Sequence, residues 1–363
     1  MGFEIEFFQV GTGSKGGDAI IFRYGELLDG GTNYKTIVID GGTKATGKKI
    51  INHIKTYIST KHVDYIFLTH ADADHASGLL AIMEEVDISI GNIVMHQPWN
   101  YSDLVLDRVL DGRKTEKTVE EHMYKALRYA KDISDLADSR KIPITKGFQE
   151  FSTPDGVITI LGPTEDFYTQ LLLASTDTPL TESSEFAKAQ YALQDFIKYS
   201  SEQAVEYRIK ESMDMSTETL KDPEDFATSE RNNSCIILGI KASDKHHIIL
   251  TGDAGVEGLT YAFTYAESIG FDLKNLYLFQ IPHHGSHHNI GPKILEKIKG
   301  KNAVVSAPPK WIKHPSRKVL NAFIRRSWAV YSPESKGRFY VKAPERPKMI
   351  KWNYHKLFDF VED

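Results

Sequence analysis

The chain has 363 residues, 41% of them apolar and 26% charged, with 44 Lys and Arg against 49 Asp and Glu. These proportions are ordinary for a soluble globular protein, and at this length an α/β fold often forms one unit with insertions. The single cysteine, Cys235, excludes an internal disulfide and cysteine-rich zinc sites, and no apolar run approaches the roughly 18–20 residues that span a bilayer.

Glu4–Val10, Ala19–Phe22 and Thr36–Ile39 alternate as strands do, with glycine-rich turns between them. A helix is expected over Lys48–Ser59, and Tyr65–Leu68 is the next strand. The pattern then predicts a helix over Gly78–Glu85, a strand over Asn92–His96 and one amphipathic helix across Val119–Leu136. Residues 156–161 return to strand, and 165–228 read as polar helix. Ser234–Lys241 and His246–Thr251 form a hairpin in which Cys235 is a packed, inert thiol. Helix Val256–Ser268, strand Tyr277–Ile281, helix Pro292–Lys299 and strand Ala303–Ser306 follow.

Strands at both ends with helices behind them predict two packed sheets covered by helices, a four-layer αββα sandwich. Residues 1–99 and 231–330 would form the core, 100–230 a mostly helical insertion or lid, and 331–363 a basic C-terminal extension. The stretch 151–230 is strongly acidic and 291–363 strongly basic. Pairing of these regions would join copies of the chain, and the basic end suits an anionic small molecule or nucleic acid. The N-terminus lacks the basic and apolar regions of a signal peptide, so a cytoplasmic location without a membrane partner is expected.

Thr69-His70-Ala71-Asp72-Ala73-Asp74-His75 places four metal-ligand side chains directly after a strand. Alternate side chains leave opposite faces of a strand, so these four cannot meet while the chain is extended. A tight loop and a first helical turn, Ala76–Met83, would converge them, and mixed imidazole and carboxylate donors suit Zn, Mn or Fe. The same residues also read as an Asp-capped helix start. Three further strand ends carry such groups: Asp40 before Gly41-Gly42, Asp253 before Ala254-Gly255, and His283-His284-Gly285-Ser286. Side chains just beyond strand ends line the sites of α/β folds. Singly each reads as a turn or a surface residue; their order together points to a metal.

This order resembles the metallo-β-lactamase superfamily, whose generic second motif reads His-x-His-x-Asp-His. It is most similar to the hydrolase domain of bacterial competence DNA-uptake channel proteins, through Gly17-Asp18-Ala19-Ile20, Ile39-Asp40-Gly41-Gly42, Thr69 to Leu79, Asn232-Asn233-Ser234, Leu250 to Ala254, Pro282 to Ser286 and His314-Pro315. The channel's membrane part is not in this chain, so a role in uptake does not carry over. The resemblance implies the αββα fold and one or two divalent ions, Zn or Mn. His70 and Asp72 would hold one ion. Asp74, His75 and one of His283 and His284 would hold the other, with His284, next to Gly285, preferred. Asp253 would bridge, and Asp40 and Asn233 would orient ligands by hydrogen bonds.

Two departures stand out. Asp72 replaces the second histidine of the generic motif, and Asn232 and Asn233 stand roughly where another histidine is usual. The first ion site thereby gains oxygen donors, which favours manganese relative to zinc. His96 follows a short strand and reads as structural.

The implied reaction is hydrolysis by metal-bound hydroxide, with Asp74 or Asp253 accepting the proton and His314 protonating the leaving group. Ser286 and Lys313, with Lys310 and Arg317, would bind an anionic substrate. A phosphodiester of a nucleic acid or nucleotide is the leading expectation. A carboxylic ester, lactone or thioester is the second, and a metal-bound sensor without turnover the third.

Overall fold

The computed structural model describes the chain except residues 12–15, 29–30, 110–111, 113, 176–217, 225–226, 309–313, 334–335, 344–353 and 357–363. Among the described residues, fourteen strands form two seven-stranded sheets. The first contains β1 (Gly2–Phe8), β2 (Ala19–Gly25), β3 (Tyr34–Gly41), β4 (His62–Phe67), β5 (Ser89–Met95), β6 (Ile144–Lys146) and β13 (Lys336–Val341), in the order β13-β1-β2-β3-β4-β5-β6. The second contains β7 (Ile158–Gly162), β8 (Ile237–Ser243), β9 (His246–Leu250), β10 (Leu276–Gln280), β11 (Gly300–Val304), β12 (Ala329–Pro333) and β14 (Tyr354–Lys356), in the order β14-β12-β11-β10-β9-β8-β7.

Both sheets are mixed. The β3-β4-β5-β6 and β9-β10-β11-β12 runs are parallel, and the remaining pairs are antiparallel. Strands of the parallel runs are buried on both faces, which is why they read as nearly continuous apolar runs. Phe3, Ile5 and Phe7 of β1 alternate inward and meet Leu238, Ile248, Leu278 and Val304 of the opposing sheet in one core layer.

Helices α1 (Lys44–His53), α2 (Ala73–Glu84) and α5 (Arg128–Arg140) cover the first sheet through Ile50, Leu79, Ile82, Ile133 and Ala137. On the other side α8 (Val256–Ser268), α9 (Pro292–Lys297) and α10 (Arg317–Arg325) bring Leu259, Phe263, Leu295, Leu320 and Phe323 onto the second sheet. The αββα sandwich expected from the sequence is therefore the observed fold. None of the described helices is long and apolar enough to cross a membrane.

Several boundaries differ from the sequence reading. The helix expected from Lys48 starts at Lys44, where Thr43 accepts the Thr46 amide, and ends in a π-helical turn, Ile54–Ile58. The single helix expected over Val119–Leu136 is two, α4 (Glu116–Ala126) and α5, because Leu127 leaves helical geometry at φ −117. With α3 (Ser102–Leu106) and α6 (Glu165–Ala174) they cap one end of the first sheet, while α7 (Glu230–Asn233) leads into β8.

The segment 100–230 supplies β6 and β7, one to each sheet, besides its helices; its acidic centre, 176–217, lies outside the described residues. The presumed C-terminal extension likewise contributes strand β13 to the first sheet. Its Arg338 reaches Glu4, fully buried on β1, and Nε donates at 2.8 Å to the carboxylate that also takes Arg23 Nη1 at 2.5 Å. The Glu6 carboxylate beside it lies against Nε2 of buried His53 of α1. A basic composition concealed a strand whose arginine neutralises the core. Cys235 is buried, as expected.

Candidate metal centre

β3 pairs in parallel with β4 at Ile39 and Phe67, and β9 with β10 at Ile249 and Phe279, so all four strands end at one edge of the sandwich. Ile236 N donates to Thr69 O at 3.0 Å across the two sheets, and His283 N to Gly252 O at 3.1 Å. Asp40, the His70–His75 turn, Asp253 and the His283–His284 pair are thereby brought together. Asp40, His283 and His284 have left-handed backbones at φ 51, 45 and 55, a strain that non-glycine residues hold only where the surroundings impose it.

Helix α2 begins at Ala73, so Asp74 and His75 ride on its first turn rather than on the preceding loop. Gly78 lets that turn meet the end of β3: a Cβ there would lie 1.8 Å from Gly41 O. Asp72 occupies the cap position yet makes no side-chain cap bond. Instead its Oδ1 takes Arg231 Nη1 at 2.6 Å, while Oδ2 lies 3.6 Å from His70 Nε2. An ordinary Asp-capped helix start is thus ruled out for this turn.

Asp40 orients the cluster. Its carboxylate is fully buried, accepts Thr69 N at 2.8 Å and Thr69 Oγ1 at 2.6 Å, and takes His75 Nδ1 at 2.7 Å. Because Thr69 gives its hydroxyl proton to Asp40, it can only accept from His70 Nδ1 at 3.1 Å. Asn289 Nδ2 donates to Asp253 O at 2.9 Å, which turns its amide oxygen to His283 Nδ1, also at 2.9 Å. In their neutral form all three imidazoles are therefore held with the proton on Nδ1 and the lone pair on Nε2.

Those three nitrogens, with His284 Nε2, face one carboxylate. Asp253 Oδ2 lies 3.7 Å from both His70 Nε2 and His283 Nε2, and Oδ1 lies 3.6 Å from His75 Nε2 and 3.7 Å from His284 Nε2. These separations are too long for hydrogen bonds, and a lone pair opposite a carboxylate repels it. His70 Nε2, His75 Nε2 and Asp253 Oδ1 are buried with no hydrogen-bond partner among the described residues. A cation between them removes the conflict, so the donor set fits a metal. Two groups, His70–His75–Asp253 and Asp74–His75–His284, bring their ligand atoms within 4.8 Å of one another.

The electrostatics agree. Burial pushes the Asp253 carboxyl upward, but His283, His284, His75 and His70 outweigh it and hold the group well below its ordinary range. Burial also works against the Asp72 carboxylate, and His70 and Arg231 overcome it. Burial presses His284 down to about 3, keeping it neutral. His75 moves the other way, well above its ordinary value, because Asp253 and Asp40 overcome burial.

The remaining expected residues are distributed unevenly. His314 sits with its ring 5.6 Å from that of His283. Asn233 is buried against Gly255, where a Cβ would lie 2.4 Å from its Oδ1; Asn232 is the asparagine near His283, at 3.5 Å from Nδ1. Ser286 is buried and its hydroxyl accepts His288 N at 3.2 Å. Lys310 and Lys313 lie outside the described residues. His96 stays out of the cluster, with Nε2 on Gly147 O at 2.8 Å, which supports its structural reading.

Sequence reasoning assigned no role to Asp18 or Arg231. Asp18 is 2% exposed, and its ligand atom lies within 4.8 Å of those of Asp253 and His284. Burial, reinforced by Asp253 and Asp40 against the pull of His75, raises its carboxyl to about 7. The signal was present in Gly17-Asp18: Gly17 packs on the Asp74 backbone, where a Cβ would sit 2.1 Å from its carbonyl oxygen.

A metallo-beta-lactamase superfamily model matches residues 28–165. The αββα architecture is consistent with the fold of that superfamily. The clustered His and Asp side chains, able to chelate a metal, are consistent with a metal-dependent hydrolase of that fold. An anaerobic nitric oxide reductase flavorubredoxin of Aliivibrio salmonicida (strain LFI1238) is 31% identical over 88 residues, 21% of this chain and 18% of that protein. Among solved structures, a protein of Thermotoga maritima described as a metallo-beta-lactamase aligns over 75% of this chain and 86% of its own, with 9% identity and a TM-score of 0.34. The long form of RNase Z from yeast aligns over 83% of this chain and 37% of its own, with 12% identity and a TM-score of 0.34.

Proposed function

We propose that the chain is a hydrolase working with two divalent ions, Zn or Mn, and that its substrate is a phosphodiester. The observation that carries the two-ion reading is the division of Asp253. One oxygen faces His70 and His283, the other His75 and His284, at 3.6 to 3.7 Å throughout. His70, Asp72 and His283 would hold one ion and Asp74, His75 and His284 the other. Both histidines of the 283–284 pair are then used, and His283 makes good the imidazole missing from the generic motif.

When bound, such a pair lowers the pKa of water toward neutrality and neutralises charge on a phosphoryl or acyl oxygen. The protein's part is to keep three Nε2 lone pairs forward through Asp40, Thr69 and Asn289. Asp74, half-buried on the first turn of α2, accepts the proton of attacking water on a carboxylate oxygen. His314, beside His283, returns a proton to the departing oxygen.

Two features support phosphorus as the centre attacked. The donor set is rich in carboxylates, which suits ions that also bind phosphate oxygens. The motifs are similar to those of the uptake-channel hydrolase domain. A carboxylic ester remains the second reading, favoured by an apolar cavity beside His70. Turnover of bis(p-nitrophenyl) phosphate against p-nitrophenyl esters and lactones, each with Mn and with Zn, separates them. Cleavage of the esters or lactones while phosphodiesters stay intact would overturn the phosphodiester assignment.

A further inference from the structure

Beside His70 the helical layer leaves a cavity of about 50 Å³. Its walls are Leu127 and Ala130 at the start of α5 and Leu171 and Leu172 on α6; His96 and Tyr168 also line it, and Arg231 stands with His70 on the side of the metal cluster. Leu127, Ala130, Leu171 and Leu172 are all buried, whereas His96, Glu230 and Arg231 are partly exposed.

Ser175, Glu230 and Ser234 lie on the polar side of the lining with Arg231, while His96 stands among the apolar walls. His96 Nε2 can only donate to Gly147 O, at 2.8 Å, which leaves Nδ1 as a neutral acceptor. Burial outweighs that hydrogen bond and presses its pKa to about 4. The side of the space walled by Leu127, Ala130, Leu171 and Leu172 accepts an apolar group. An apolar cavity of about 150 Å³ takes a benzene ring, so one a third of that size admits a short chain and no nucleobase.

We propose that this cavity binds a short aliphatic group, of roughly two to four carbons, carried by the substrate on the group that remains over His70. The substrate is then a small ester with an alkyl arm and not a polymer. This rests on the hydrolytic reading of the cluster and narrows it, whether phosphorus or carbon is attacked. Arg231, tied to Asp72, marks the side on which the reacting anionic centre lies.

The test uses alkylphosphonates, which mimic both a phosphoester and the tetrahedral stage of ester cleavage, with Mn-loaded protein in calorimetric titrations. Affinity is expected to rise about fourfold per methylene from methyl to propyl and to fall for phenylphosphonate. Ala130→Leu and Leu171→Phe, each filling the cavity, should abolish that rise and leave methylphosphonate affinity and metal content unchanged. Affinity that does not vary with chain length overturns the proposal, whereas no metal-dependent binding of methylphosphonate overturns the hydrolytic reading. Methyl resonances of Leu171 and Leu172 on addition of 1-propanol test the cavity without the metal. Shifts in the wild type that vanish in either variant support it, and their absence in the wild type overturns it.

Discussion

Arg231 holds one oxygen of Asp72 at 2.6 Å while the other stays 3.6 Å from His70 Nε2. The guanidinium thus fixes a carboxylate that would otherwise be free to cap α2, and aims its second oxygen at the cluster. Arg231→Ala should weaken the ion on the His70 side about 10- to 100-fold while the other ion remains, the usual range for losing a group that orients a ligand. Metal titration followed by Co(II) absorption reads the two sites apart; equal loss from both would contradict this division.

Asp253 is the point at which the two halves of the cluster meet. Asp253→Ala should abolish turnover and the binding of both ions, with far-ultraviolet circular dichroism unchanged. Chelation of the wild type should lower its melting temperature, because the ions bind the folded chain and relieve the repulsion among Asp18, Asp40 and Asp253. Asp253→Ala should show no such response to chelator.

Asp40 makes three buried hydrogen bonds, to Thr69 N, Thr69 Oγ1 and His75 Nδ1. Asp40→Ala leaves those donors unsatisfied and should cost about 3 kcal/mol in urea unfolding. Asp40→Asn should recover much of the stability but less of the metal affinity, since an amide presents one acceptor where a carboxylate presents two.

His96 gives a pH signature of its own. Its folded pKa of about 4 lies below the ordinary 6.5, so the unfolded chain takes up a proton first as pH falls. Its contribution is fully present above pH 6.5 and is lost between there and 4, at about 1.4 kcal/mol per pH unit. His96→Phe should flatten the stability profile over that window, as measured by denaturant midpoints at stepped pH.

Arg338 reaches the fully buried Glu4 from β13. Arg338→Ala would strand that carboxylate beside Arg23 and cost about 3–5 kcal/mol, read from chemical unfolding. A loss within 1 kcal/mol would show that Arg23 alone neutralises Glu4.

The ligand turn, the strand-end aspartates and the two sheets were legible because each rests on a local pattern: a period of two, a turn residue, a run of donors. Asp18 and Arg231 were not, because their roles depend on what the fold brings near them. Arg231 is one basic residue just past an acidic stretch until Asp72 comes within 2.6 Å. Strand β13 was hidden for a related reason. Lys336-Gly337-Arg338 reads as solvent-facing, and only the presence of Glu4 on β1 makes a buried arginine favourable. Two histidines were offered for one position at 283–284, and both lie 3.7 Å from Asp253, on opposite oxygens.

The last strands alternate between the layers, β12 in the second sheet, β13 in the first and β14 again in the second. The polypeptide thus laces its two halves together after both have been laid down. Neither half retains its own edge without the other, and a chain cut short before Ala329 would lose both laces at once. The strands that close both sheets thus lie downstream of every member of the cluster.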